Sequence, residues 1–312
     1  MTREKTQGCM LCPRRCNADR AAGEKGFCGG GTLPVLARAA LHFWEEPCIS
    51  GESGSGAVFF SGCNLGCVFC QNHRISRMRD GELFGRSVSP ERLCEIFYEL
   101  KEQGAANINL VTGDIYIPAL ADAIGRAKRQ GFSLPFVFNS SAYLEKEALH
   151  MLEGRIDVYL PDMKFYSKKR AERYCHAADY PEKAAAAIRE MFRQTGECRF
   201  DEKGMIKKGL ILRHLLLPGG LLEAKLILKK AYREYGDAVY FSLLNQYTPM
   251  QGQLTAFPEL QERVPGREYD ELVEYALSLG IHNAWIQEDS SGEDYIPEFD
   301  MTGVLCPETQ VS

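Results

Sequence analysis

The 312-residue chain is 45% hydrophobic and carries a formal net charge of −5, enough apolar content for a full core and too acidic for a large nucleic-acid footprint. No apolar run approaches the ~18 residues of a membrane span, and Met1–Gln7 lacks the apolar segment that secretion requires. Twelve cysteines without such a signal point to metal ligation in a reducing cytoplasm, not to a disulfide framework.

Residues 1–48 are rich in cysteine, arginine and glycine and read as a small metal-binding extension, with 49–312 as the larger unit. From Gly56 onward, short apolar runs alternate with helical patterns. The predicted strands are 57–60, 107–111, 134–138, 156–160, 209–217 and 238–244. Amphipathic stretches fall at 90–103, 118–130, 145–152, 181–194, 221–235 and 268–279. Ser89 before Pro90 makes a cap and first-turn proline, and Pro181 is placed similarly. Residues 196–208 read as a polar turn before the fifth strand. Apolar runs separated by helices predict an α/β fold with a parallel sheet, as an open doubly wound sheet or a partial barrel. In both, ligands gather at the C-terminal ends of the strands.

The first of those ends carries Cys63, Cys67 and Cys70, spaced Cys-x3-Cys-x2-Cys after Ala57–Phe60. Three such thiolates can face one cubic iron–sulfur cluster and leave its fourth iron without a protein ligand, whereas these clusters usually take four. An open iron suits binding a ligand more than only passing electrons. Gly62 and Gly66 favour a loop bent around that ligand; the simpler alternative is three core cysteines at a strand end. The extension carries Cys9-x2-Cys12-x3-Cys16-x11-Cys28. Its apolar content is too small for independent folding, so a metal staple is expected there. Zinc and a second iron–sulfur cluster both remain open, since zinc sites often pair two Cys-x2-Cys knuckles and only one is present. Cys48, Cys94, Cys175, Cys198 and Cys306 show no ligand spacing and read as core or surface thiols.

The stretch Phe60-Ser-Gly-Cys-Asn-Leu-Gly-Cys-Val-Phe-Cys-Gln-Asn-His73 resembles the signature loop of radical S-adenosylmethionine (SAM) enzymes, with Phe69 as the aromatic residue before the third cysteine. Gln71, Asn72, Ile75 and Ser76 narrow the resemblance to proteins similar to the pyruvate formate-lyase activating enzyme, and it runs from about residue 9 to residue 288. It implies a partial (β/α)6 barrel, a 4Fe–4S cluster on Cys63, Cys67 and Cys70, and SAM along the strand ends. Asn72 would hydrogen-bond the SAM carboxylate. Thr112-Gly113-Asp114 stands where the family has a Gly-Gly-Glu-type turn that receives the methionine amine. Asn139 and Ser140 stand in the family's Asp-Thr-Asn-Gly stretch, near which some members bind a monovalent cation.

Asp162-Met163-Lys164 matches the family's Asp-Leu-Lys, and residues at i and i+2 of an extended segment share a side. The resemblance gives Asp162 and Lys164 the orientation of the SAM amino-acid portion and stabilisation of charge during cleavage. Arg213 aligns with an arginine near SAM, while alternation sends His214 to the opposite face. Gln246 is a candidate contact at the sixth strand end. Ordinary strand-ending turns, helix caps and a surface ion pair are the plainer accounts of these groups.

The implied activity is reductive cleavage of SAM to a 5′-deoxyadenosyl radical that abstracts hydrogen from a substrate. At family level that substrate is a glycine of a partner glycyl-radical enzyme, with a protein electron donor such as flavodoxin or ferredoxin. A peptide or a small metabolite is the alternative substrate. Two other classes remain: a non-catalytic iron–sulfur redox module, and an RNA-modifying enzyme with Arg14, Arg15 and Arg20 supplying charge. No membrane partner is expected.

Overall fold

A computed structural model describes residues 8–250, 254–287 and 296–305; Cys306 lies outside them. The sheet begins inside the stretch read as the extension. There β1 (Val35–His42) runs antiparallel to β2 (Ser55–Phe60) on one side and to β3 (Arg86–Ser87) on the other. The short helices α1 (Pro47–Ser50) and α2 (His73–Ser76) flank β2 in sequence. Alternation follows through α3 (Pro90–Glu102), β4 (Ile108–Val111), α4 (Ile117–Arg129), β5 (Phe136–Ser140), α5 (Lys146–His150) and β6 (Val158–Pro161). Two helices, α6 (Lys168–Cys175) and α7 (Tyr180–Thr195), then lead to β7 (Arg199–Phe200) and β8 (Ile206–Leu215). The last elements are α8 (Leu221–Tyr235), β9 (Tyr240–Leu244), α9 (Gly266–Ser278) and β10 (Ala284–Ile286). The predicted polar turn at 196–208 therefore contains a small antiparallel hairpin, β7 on β8.

Strands β2, β4, β5, β6, β8, β9 and β10 pair in that order, all parallel. Their register aligns Val58, Leu110, Phe138 and Tyr159 on one face and Phe59, Val111, Asn139 and Leu160 on the other. The first face packs against the helices, among them Phe97 of α3, Ile124 of α4, Ile188 of α7 and Ile227 of α8. On the second face Val137, Val158, Leu160 and Ile211 cluster with Cys48 and Ile49 of the short α1 and with Phe200 of β7. A doubly wound sheet carries helices on both faces; here the long helices cover one, and the other curls around its own side chains as a barrel does. The path of paired strands ends at β10 and β3, so the barrel is partial.

Local chemistry explains the helix starts. The Ser89 hydroxyl accepts from the Arg92 N–H at 3.2 Å with Pro90 in the first turn, as the sequence predicts. Asp179, before α7, makes no such cap and instead accepts from the Tyr143 hydroxyl at 2.7 Å. Packing then holds the layers: Phe97 is fully buried with its ring 5.1 Å from that of Phe136, a burial that contributes about 1.5–3 kcal/mol per side chain. Among the described residues, no helix is long and apolar enough to cross a membrane.

Candidate active site

A cavity of about 190 Å³ opens over the strand ends, and Cys63, Cys67 and Cys70 all line it. The loop that carries them depends on two glycines. Gly62 has φ +88°, and a Cβ there would sit 2.6 Å from the Cys28 carbonyl; Gly66 has φ +68° and abuts the Phe27 ring. Asn64, fully buried, donates to the Tyr143 carbonyl at 2.6 Å and accepts from the Ser141 hydroxyl at 3.3 Å, tying the loop to the turn after β5. Burial pushes the Cys63 thiol up to about 12 and raises that of Cys70. For Cys67 the leading cause is a contact the sequence did not suggest: Cys175, 108 residues away, brings its Sγ to 3.3 Å from the Cys67 Sγ. Thiols this hard to ionise become thiolates only with a compensating cation. A soft, three-sulfur donor set at the mouth of a cavity fits iron–sulfur ligation.

The opposite wall is charged. Lys164 Nζ lies 2.5 Å from Asp162 Oδ2, so the two do share a side. Burial alone would lower the Lys164 pKa, but Asp162, with Cys67 and Tyr180 beside it, outweighs burial and holds the ammonium charged. Tyr180, absent from the sequence reading, organises this turn: its hydroxyl accepts from the Lys164 N–H at 3.0 Å and lies 2.7 Å from the Asp162 carbonyl. Arg213 donates to Glu46 at 2.8 Å and to Glu45 at 2.6 Å. These carboxylates outweigh burial and keep the guanidinium charged. Sequence reasoning missed both glutamates because nothing local marks the turn after β1 as reaching the barrel interior. His214 faces the other layer, its Nδ1 2.7 Å from the Met163 carbonyl, as alternation predicts.

Phe69, Asn72, Thr112, Asn139, Ser140 and Gln246 also line the cavity. Gly113 and Asp114, expected beside Thr112, are not among its lining residues. Thr112 adopts φ +61° and starts a tight 3-10 turn over Gly113–Tyr116, which swings Asp114 inward. There Asp114 is fully buried, accepting from Ser140 at 2.6 Å and from Ser141 at 3.4 Å, while its Oδ2 has no hydrogen-bond partner. Burial pushes its carboxyl up to about 6. The hydroxyls expected near a monovalent cation are thus engaged by Asp114.

Cys9, Cys12, Cys16 and Cys28 lie close enough to influence one another. Burial leads in raising Cys9 and in pushing Cys12 up to about 11, and the neighbouring thiols add to both. Among the described residues, no group of three or more His, Cys, Asp or Glu side chains is arranged to hold a single metal ion. A polynuclear cluster is wider and does not require that convergence.

The arginines read as nucleic-acid contacts turn onto the chain itself. Arg14 stacks 3.6 Å from the Phe27 ring centre and donates to the carbonyls of Asn64, Leu65, Cys175 and His176. Arg15 pairs with Glu145, and Arg20 donates to the Ile115 carbonyl.

Residues 57–198 match the family model for the Radical SAM superfamily, spanning β2 to the threshold of β7. The chain is 27% identical over 282 residues to "Uncharacterized protein MJ0674" of Methanocaldococcus jannaschii, covering 88% of this chain and 76% of that protein. A second protein of that organism, "Uncharacterized protein MJ0808", is 26% identical over 183 residues, 51% of each chain. Among solved structures, Streptococcus suis SuiB bound to S-adenosylmethionine superposes on 77% of this chain and 51% of its own, with a TM-score of 0.47 and 14% identity.

Proposed function

We propose that this chain, whose residues 57–198 match the Radical SAM superfamily model, is a radical SAM enzyme with Cys63, Cys67 and Cys70 as ligands of a 4Fe–4S cluster. When bound, that cluster and SAM supply one-electron cleavage of the sulfonium and a 5′-deoxyadenosyl radical. The chain's own part is binding and enclosure. Asp162 and Lys164 present a fixed pair of opposite charges to the amino-acid end of SAM, and Asn72 and Gln246 add hydrogen-bonding groups to the same cavity. Apolar walls from Phe60, Phe69, Val111 and Leu215 keep water from a carbon radical.

The hydrogen donor we assign to a protein or peptide segment, in the first instance a backbone glycine of a partner enzyme, on the strength of the Gln71–Ser76 resemblance. The electron comes from a protein donor such as flavodoxin or ferredoxin. One observation carries the reading: three thiols and the Asp162–Lys164 pair, distant in sequence, line a single cavity. Anaerobically reconstituted protein given SAM and a strong reductant should form 5′-deoxyadenosine. The Cys63/Cys67/Cys70→Ala protein should form none; product persisting in that variant would remove the assignment.

A further inference from the structure

A second cavity of about 300 Å³ lies across Arg213 from the first, and the two share Arg213 and Leu244 as lining. Its walls are aromatic: Phe43 and Trp44 are about half exposed, and Trp285 stacks on Tyr240 with ring centres 4.7 Å apart. Its floor holds Glu45 and Glu46, whose side chains are 6% and 4% exposed, against one guanidinium. Three of the four carboxylate oxygens are engaged: Glu45 Oε1 by Asn109 at 2.8 Å, and Glu45 Oε2 and Glu46 Oε1 by Arg213. The fourth, Glu46 Oε2, is buried with no hydrogen-bond partner. Burial lowers the pKa of nearby His42, which is therefore neutral at pH 7 and does not supply the missing charge.

We propose that this cavity seats an alkylammonium side chain of the substrate, lysine-like in form, between the aromatic walls and above Glu46. Two carboxylates facing one guanidinium leave a buried site one positive charge short, and such a deficit is costly unless a cation fills it. Aromatic faces favour the same occupant. A single free oxygen suits the compact donor of an ammonium better than a guanidinium fork, which needs two. The inference rests on the proposed radical chemistry only in calling the occupant a substrate, because this cavity adjoins the first at Arg213 and Leu244.

The chain has two tryptophans, Trp44 and Trp285, and both line this cavity, so intrinsic tryptophan fluorescence of the full-length reconstituted protein reads its occupancy. N-acetyl-lysine methylamide should give a saturable change. Its neutral isostere, N-acetyl-norleucine methylamide, should bind roughly tenfold or more weakly, and Glu46→Gln should weaken the lysine probe by a similar factor. Equal affinity for the two probes on the unaltered protein would overturn the ammonium seat, as would the absence of a saturable change with the lysine probe. The probe comparison needs no variant, so a folding defect in Glu46→Gln does not blunt it. Formation of 5′-deoxyadenosine in the same preparation is scored separately: cleavage without ammonium selectivity sinks the seat alone, and selectivity without cleavage sinks the radical SAM reading alone.

Discussion

The two cysteine regions are built on different principles. The loop of Cys63, Cys67 and Cys70 follows a central strand, takes its shape from Gly62 and Gly66, and is pinned by buried Asn64. Among its described residues the extension has no strand or long helix before β1; its backbone ties are local turns, among them Cys9 to Ala18 and Arg15 to Cys12. It grips the barrel instead through Arg14, Arg15 and Arg20, whose targets are mostly backbone carbonyls and one carboxylate. A loop shaped by the sheet can exist before its metal arrives. A module with little core would gain from a metal that held its arginines in place. On our proposal, chemistry falls to one region and support to the other.

The sharpest test separates the two by substitution. Cys63→Ala should abolish 5′-deoxyadenosine formation and remove about four iron atoms per chain. Cys12→Ser with Cys16→Ser should remove only the metal of the extension and lower the thermal midpoint, leaving SAM cleavage measurable. If the second variant loses cleavage as completely as the first while retaining a full barrel cluster by iron and sulfide assay, the division fails. The extension would then act as an electron relay.

Arg14 is the next lever. Its guanidinium joins the cluster loop, through the carbonyls of Asn64 and Leu65, to the end of α6, through those of Cys175 and His176. Charge-assisted hydrogen bonds contribute about 1.5–3 kcal/mol each, partly discounted where solvent reaches them. Arg14→Ala should therefore cost about 3 kcal/mol in urea unfolding and speed cluster loss to a chelator. A variant with unchanged unfolding and unchanged chelation rate would make the extension a passenger.

On the barrel side, Asp114 adds a pH signature under the turn that Arg20 grips at Ile115. Its folded pKa of about 6 lies above the ordinary aspartate value of 3.8. The folded state therefore binds the proton more tightly than the unfolded chain. Stability is fully present below about pH 4 and declines as pH rises through about 6. A shift of ~2 units corresponds to about 3 kcal/mol as an upper figure. Asp114→Asn should remove that slope and stand above the unaltered protein at pH 7, as measured by unfolding at pH 4, 5, 6 and 7. Parallel curves for both proteins would show that Asp114 ionises freely.

Most of the strand ends were legible because chemistry and periodicity coincide there. Cys63, Cys67 and Cys70 carry a local spacing, and Asp162 and Lys164 obey the two-residue repeat of an extended segment. What escaped was set by distance in sequence. Glu45 and Glu46 meet Arg213, and Cys175 meets Cys67, only after the barrel curls; no local pattern announces such pairs. Strand β1 hid in a stretch whose cysteines and glycines suggested an appendage. Asp114 turned inward because Thr112 takes a left-handed conformation, which a threonine rarely does and no propensity rule foretells.

The smallest effect probes where the two regions touch. Gly66 has φ +68°, and a methyl group there would meet the Phe27 ring at 2.9 Å, the same ring on which Arg14 stacks. An L-residue in this conformation costs about 1–2 kcal/mol, offset by about 0.4–1 kcal/mol from a stiffer unfolded chain. Phe27 is half exposed and can swing aside, so the steric part is modest. Gly66→Ala should therefore lose about 1 kcal/mol in urea unfolding. In a Phe27→Ala background the steric share disappears and only the backbone share remains, so the two substitutions should be less than additive. Strict additivity would mean that the ring moves freely and that Arg14, without its stack, is held by its carbonyls alone.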